Sequence, residues 1–130
     1  MSPPAKILVV DDAPFVRELL VDHLTRNGYL TVEAGTGPDA LVAVAAENPD
    51  VILLDIDLGP GMNGLEVLRR VRREHPSIGV IMMTGYREPA LARQTTDAGA
   101  IECLFKPIEM RRLSALIAEF LSTRPDDPEP

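Results

Sequence analysis

A doubly wound α/β domain on a five-stranded parallel sheet is what this 130-residue sequence encodes, and three observations lead there. Short apolar runs of strand length alternate with longer segments whose apolar residues recur at helical spacing. Three of those runs, 7–10, 51–54 and 78–83, are almost wholly apolar, as strands covered by helices on both faces must be. Each then stops on a polar side chain: Asp11-Asp12, Asp55 and Thr84.

The first strand runs to Asp11. After it Phe15, Val16, Leu19, Leu20 and Leu24 recur at helical spacing, and Asn27-Gly28 ends that helix. Tyr29 to Ala34 reads as a short strand. Thr36-Gly37-Pro38-Asp39 then offers a hydroxyl cap, an early proline and an acid in the first turn, opening a helix that carries Leu41, Val44 and Ala45. The third strand ends at Asp55 and enters a turn-rich loop, 59–64, before Leu65, Leu68 and Val71 resume the helical period. His75-Pro76 closes this helix, because a residue before proline avoids helical geometry. The fourth strand runs through Met83, a weakly amphipathic helix with Leu91 and Thr95 ends near Gly99, and a fifth strand runs through Leu104. Leu113, Leu116, Ile117 and Phe120 mark the last helix, and the chain finishes in an acidic, proline-rich tail, 123–130, expected to be solvated.

A chain of this length fits one domain that buries roughly two-thirds of its unfolded surface. Its 45% hydrophobic content with only 4% aromatic residues implies a core of Val, Leu, Ile and Ala. A net charge of −7 argues against nucleic acid as a partner, which calls for a clustered basic face. The single Cys103 cannot form an internal disulfide, and no apolar run approaches the roughly 20 residues of a membrane span. No leader segment is legible at the start, so the expectation is a soluble, cytoplasmic protein without a membrane partner.

In open α/β sheets, ligands bind outside the carboxyl ends of the strands, where Asp11, Asp12, Asp55, Thr84 and Lys106 all fall. Carboxylates about 4–5 Å apart repel by a few kcal/mol at an effective dielectric near 20, so three of them gathered in one crevice call for a divalent cation. Mg²⁺ suits the site because it takes hard oxygen ligands and keeps waters that a phosphoryl oxygen can replace. Lys106 then offers a compact positive charge and Thr84 a hydroxyl donor to the other phosphoryl oxygens, which leaves a carboxylate free to attack in line. Asp55, ending the third and central strand, is the best nucleophile. Lys106-Pro107 is an X-Pro bond that can be cis.

Taken together, the acidic pair Asp11-Asp12, Asp55 within Leu53-Leu54-Asp55-Ile56-Asp57, Thr84-Gly85 after the fourth strand and Lys106-Pro107 after the fifth resemble the receiver domain of two-component response regulators. The likeness runs from about Lys6 to Leu121, with a domain expected over 5–122. The resemblance implies a flavodoxin-like sheet in the order 2-1-3-4-5 and a phosphoryl group passed to Asp55 by a histidine kinase or histidine phosphotransfer protein. It also implies Mg²⁺ held by Asp12 and Asp55 side chains and the Asp57 backbone carbonyl, with Asp11 orienting bound water, and phosphoryl oxygens bound by Thr84 and Lys106. The output would be altered contacts with a downstream protein target, a phosphorelay, or a weak or phosphorylation-dependent dimer; such a domain catalyses only its own phosphorylation and dephosphorylation. Two positions depart from the family pattern. Gly64 stands one residue further from Asp55 than is usual, and Cys103 occupies the place, three before the lysine, where an aromatic is usual. Output would then run through Thr84, the loop after it and a non-aromatic fifth strand, or else through Phe105 or Tyr86 acting in the aromatic's stead.

Blander readings apply elsewhere. His23 and His75 lack metal-spaced companions and are given no role; Cys103 reads as a buried thiol, Met82 and Met83 as core, and Arg69, Arg70, Arg72 and Arg73 as a solvated helix face. The rival functions are an aspartate-nucleophile phosphatase of the haloacid dehalogenase class, whose further acid pair could only be Asp126-Asp127 in the tail, and a receiver-shaped binding module that is never phosphorylated. A flavodoxin-like electron carrier is disfavoured because Asp11-Asp12 would repel phosphate.

Overall fold

The computed structural model describes residues 3–124, in which strands and helices alternate without exception. The order is β1 (Lys6–Val10), α1 (Pro14–Arg26), β2 (Leu30–Ala34), α2 (Gly37–Glu47), β3 (Val51–Asp55), α3 (Gly64–Glu74), β4 (Gly79–Thr84), α4 (Pro89–Asp97), β5 (Glu102–Phe105) and α5 (Met110–Ser122). All four strand pairings are parallel, and the sheet runs β2-β1-β3-β4-β5. The chain therefore reverses its winding between β1 and β3, and the acids that end those two neighbouring strands come together there.

The apolar runs are continuous because alternate residues serve two different cores. Leu8, Val10, Ile52, Leu54, Val80, Met82 and Cys103 meet Ala40 and Val44 of α2 and Val67, Leu68 and Val71 of α3. Ile7, Val9, Val51, Leu53, Ile81, Met83 and Leu104 meet Leu20 and Leu24 of α1 and Leu113 and Ile117 of α5. A polar residue at any of these strand positions would stand in one core or the other.

Local chemistry sets the helix ends. The Thr36 hydroxyl accepts from the Asp39 N–H at 3.1 Å, and the Asn63 side-chain oxygen accepts from Glu66 N–H at 3.0 Å. His75 follows the last residue of α3, as its proline neighbour requires. Arg69, Arg70 and Arg73 are solvated, but Arg72 is not merely a surface charge: its guanidinium donates to the Pro76 carbonyl at 2.8 Å and ties down the exit of α3. His23 lies at the α1–α5 boundary, its Nε2 2.7 Å from the Ser114 hydroxyl.

The apolar spacing of α1 divides in two. Leu20 and Leu24 are buried, while Phe15 is 69% and Leu19 48% exposed on the flank of the helix. One four-residue row faces the sheet; the neighbouring row faces a groove toward the loop after β5 and the start of α5, beside Pro107, Ile108 and Met110. The solvated tail expected from the sequence falls largely on 125–130, which lie outside the described residues, as does Asp126-Asp127. Thr123 and Arg124 are described, and Arg124 pairs with Asp50 at 2.5 Å.

Candidate functional site

Each sequence-predicted acid is delivered by the end of a strand. Asp11 follows β1 directly and Asp55 is the last residue of β3; both are buried, whereas Asp12 is exposed. Carboxylate oxygens of Asp11, Asp12 and Asp55 lie within 4.8 Å of one another. Asp12 makes no hydrogen bond or ion pair among the described residues, so its oxygens face solvent unengaged. Lys106, from the loop after β5, places its Nζ 2.7 Å from Asp11 Oδ2 and 3.3 Å from Asp55 Oδ2. The Lys106-Pro107 bond is cis. One cation thus holds two buried acids that would otherwise repel.

An open cleft of about 430 Å³ lies over these groups, lined by Asp12, Asp55, Asp57, Gly59, Gly85, Tyr86 and Lys106. Asp11 and Thr84 are fully buried and sit behind that lining. The Thr84 hydroxyl accepts from the Tyr86 N–H at 3.1 Å, and the Thr84 carbonyl accepts from the Lys106 N–H at 2.8 Å, so the ends of β4 and β5 are tied together at the cleft. Thr84 thus stands at the site, as its place in the sequence predicts, with its hydroxyl turned to its own loop. The Asp57 N–H donates to Asp55 Oδ1 at 3.2 Å, folding the chain after β3 back over the carboxylate.

The electrostatics follow from burial. Removal from water, reinforced by the charge of Asp11, pushes the Asp55 carboxyl up from 3.8 to about 6, against the opposing pull of the Asp57 N–H and Lys106. For Lys106, burial works against the charged form. Its hydrogen bond to Asp11 and the fields of Asp55 and Asp11 outweigh that and raise its pKa above the ordinary lysine value. Lys106 therefore remains an ammonium throughout the physiological range.

The donor set fits Mg²⁺: carboxylate oxygens only, gathered from adjacent strands, with one acid still open to solvent. No His or Cys stands in the cluster to draw a softer metal.

The longer loop after Asp55 is accommodated by glycines. Gly59 and Gly61 take φ values of +80° and +98°, which side-chain-bearing residues rarely adopt. Gly64 donates its N–H to the Ile56 carbonyl at 2.9 Å, and a Cβ there would stand 2.1 Å from the Asp55 carbonyl oxygen. Gly64 is the point where α3 presses against the strand that bears the acid.

At the position of the second departure, Cys103 is buried in the core beside Thr95 of α4, and burial raises its thiol pKa. The aromatic ring at the end of β5 is Phe105, capped by the Arg87 guanidinium at 5.3 Å from the ring centroid. Sequence reasoning passes over Arg17, whose guanidinium reaches the Asp11 carbonyl; a cation one turn into the helix behind an acidic loop is its only signal.

Known proteins are similar to this chain in sequence and fold. A family model described as the response regulator receiver domain matches residues 7–118. The sporulation initiation phosphotransferase F of Bacillus subtilis is 36% identical over 116 residues, covering 89% of this chain and 93% of that protein. The transcriptional activator protein ExaE of Pseudomonas putida is 42% identical over 102 residues, but the chain spans only 47% of its length. It spans 31% of the cyclic di-GMP phosphodiesterase of Thermotoga maritima. Among solved structures, a CheY-like receiver domain protein from Methanospirillum hungatei superposes with a TM-score of 0.87 at 30% identity, covering 93% of this chain and 96% of that one. With the family model matched over residues 7–118 and a relative 36% identical over 89% of its length, the chain belongs to the response-regulator receiver family.

Proposed function

We propose that this receiver, spanning residues 5–122, accepts a phosphoryl group on Asp55 from the phosphohistidine of a histidine kinase or histidine phosphotransfer protein. The observation that carries the reading is the convergence of three carboxylates within 4.8 Å with one ammonium 2.7 and 3.3 Å from two of them. A carboxylate Oδ of Asp55 attacks phosphorus in line as the N–P bond of the donor breaks; the imidazole leaves with the bonding pair and takes a proton from solvent, and an acyl phosphate remains. At pH 7.5 Asp55 is ionised, since its carboxyl titrates at about 6. Mg²⁺, held by Asp12 and Asp55 side chains and the Asp57 carbonyl with Asp11 orienting its water, would offset the charge on the transferring group. Lys106 would move from pairing carboxylates to pairing a phosphoryl oxygen, and the Thr84 hydroxyl, released from Tyr86 N–H, would bind another.

Output is proposed to follow from that movement: Thr84 carries the loop before α4, and the Arg87–Phe105 contact links this loop to β5. The recipient is a downstream protein or a phosphorelay partner, in a cytoplasmic setting. No helix among the described residues is long and apolar enough to cross a membrane.

Incubation with Mg²⁺ and acetyl phosphate tests the assignment by intact mass. The wild-type chain should gain one phosphoryl group and Asp55→Asn none; equal gain by both excludes Asp55 as the acceptor. Once formed, the acyl phosphate should be long-lived. Exposed Asp57 disfavours a hydroxide-like attacker and Tyr86 crowds the path of water, and both line the cleft. A half-life of minutes or more at pH 7.5 is expected after the donor is removed, and a half-life of seconds would contradict it.

A further inference from the structure

We propose that Arg17 is a positioning residue for the cation site, holding the Asp11–Asp12 peptide so that Asp12 points into the cleft; the inference rests on the functional reading above. Asp11 is fixed at every polar atom. Its N–H donates to Ala34 O at 3.2 Å, Oδ1 accepts from Ala13 N–H at 2.9 Å, Oδ2 accepts from Lys106 at 2.7 Å, and its carbonyl accepts from Arg17 Nη1 at 2.6 Å. Only the last of these grips the peptide plane that joins Asp11 to Asp12, and because that plane is rigid, fixing its oxygen fixes the direction in which Asp12 leaves.

Asp12 needs such an outside anchor. It has no partner of its own among the described residues, and two neighbouring carboxylates repel it from the place where a shared cation requires it. Arg17 is itself held. Its Nε donates to Glu33 Oε1 at 3.2 Å, so the guanidinium spans from β2 to the β1–α1 loop. Gly35 leaves the lane open, since a Cβ there would come within 3.2 Å of Arg17 Nη1. A planar fork with donors in fixed directions can serve both acceptors at once, which a lysine could not. Because Mg²⁺ tolerates little departure from octahedral geometry, loss of this hold should appear in metal affinity more than in overall stability.

The test is Mg²⁺ titration of the full chain, followed by isothermal calorimetry and by amide NMR shifts of residues 11–13 and 55–57. Arg17→Met keeps most of the stem and deletes the donors; its Kd for Mg²⁺ should rise about tenfold. Val44→Ala, in the core under α2 and away from the cleft, serves as a comparison that lowers melting temperature; its Mg²⁺ Kd should stay at the wild-type value. Binding by Arg17→Met within twofold of wild type overturns the inference, as does an equal loss in Val44→Ala, which would assign the effect to general softening. Should Arg17→Met not fold, Glu33→Gln takes its place: two- to threefold weaker binding is expected and unchanged binding overturns the proposal. Absence of saturable Mg²⁺ binding in the wild-type chain overturns the reading of the site itself.

Discussion

Asp55→Asn should raise the melting temperature of the metal-free protein at pH 7.5 by roughly 10 °C, and should give no such gain near pH 4. The sign follows from the direction of the shift. In the unfolded chain Asp55 titrates at 3.8, and in the folded one at about 6. Between those values the folded state holds the extra proton, so stability falls as pH rises from about 4 to 6 and stays lower above that. A difference of some two pKa units corresponds to about 3 kcal/mol, and Asp55 is only 2% exposed, so solvent does little to screen it. Asparagine removes the charging cost while still accepting from the Asp57 N–H, and about 3 kcal/mol moves the midpoint of a domain this size by roughly 10 °C. Mg²⁺ should act the other way round, stabilising wild type at pH 7.5 far more than the variant, because only the ionised carboxylate is a good ligand. Thermal melts at both pH values, with and without Mg²⁺, check all of this; an Asp55→Asn variant no more stable than wild type at pH 7.5 would refute the burial argument. Stability given up at the very residue proposed to react is expected where a carboxylate must be buried to be a nucleophile yet remain ionised.

Much of this was legible in the sequence because the sheet is buried on both faces. A strand such as Val51–Leu54 has no solvent side, so its apolar run is unbroken, and the first acid after it marks where the sheet ends. The five positions that carry the proposed chemistry were visible for the same reason. What could not be read are contacts that depend on side-chain direction or on loops. Phe15 and Leu19 carry the helical period of α1 but lie on the exposed row beside the sheet-facing one, a distinction periodicity alone does not make. Arg17 acts on a backbone carbonyl rather than a side chain, and a carbonyl carries no sequence signature. The turn of the Thr84 hydroxyl toward Tyr86 depends on the path of the loop after β4.

Gly64→Ala should be the most damaging single methyl that can be added near the site, costing on the order of 3 kcal/mol or more. Gly64 opens α3 directly after the Asn63 cap, and its own N–H is committed to the Ile56 carbonyl at 2.9 Å, so the helix start cannot slide along the strand. The added carbon would stand 2.1 Å from the Asp55 carbonyl oxygen, 2.7 Å from Ile56 Cα and 2.9 Å from the Asp55 carbonyl carbon. All three are backbone atoms, with no flexible side chain to give way. Relief must come from moving α3 outward or from displacing the end of β3. Moving α3 opens space around Val67, Leu68 and Val71, all of them fully buried, while displacing β3 shifts Asp55 relative to Lys106 and Asp11. Either course predicts a melting temperature lower by about 10 °C or more, together with phosphorylation by acetyl phosphate at least tenfold slower in whatever fraction remains folded. Gly61→Ala separates this from loop strain. Its φ of +98° imposes a backbone cost of about 1 kcal/mol, but a Cβ there meets nothing within 4 Å, so it should lower stability modestly and leave the phosphorylation rate nearly unchanged. If the two alanine variants lost the same stability and the same rate, close approach of α3 to the acid-bearing strand would not be what the glycine at 64 provides.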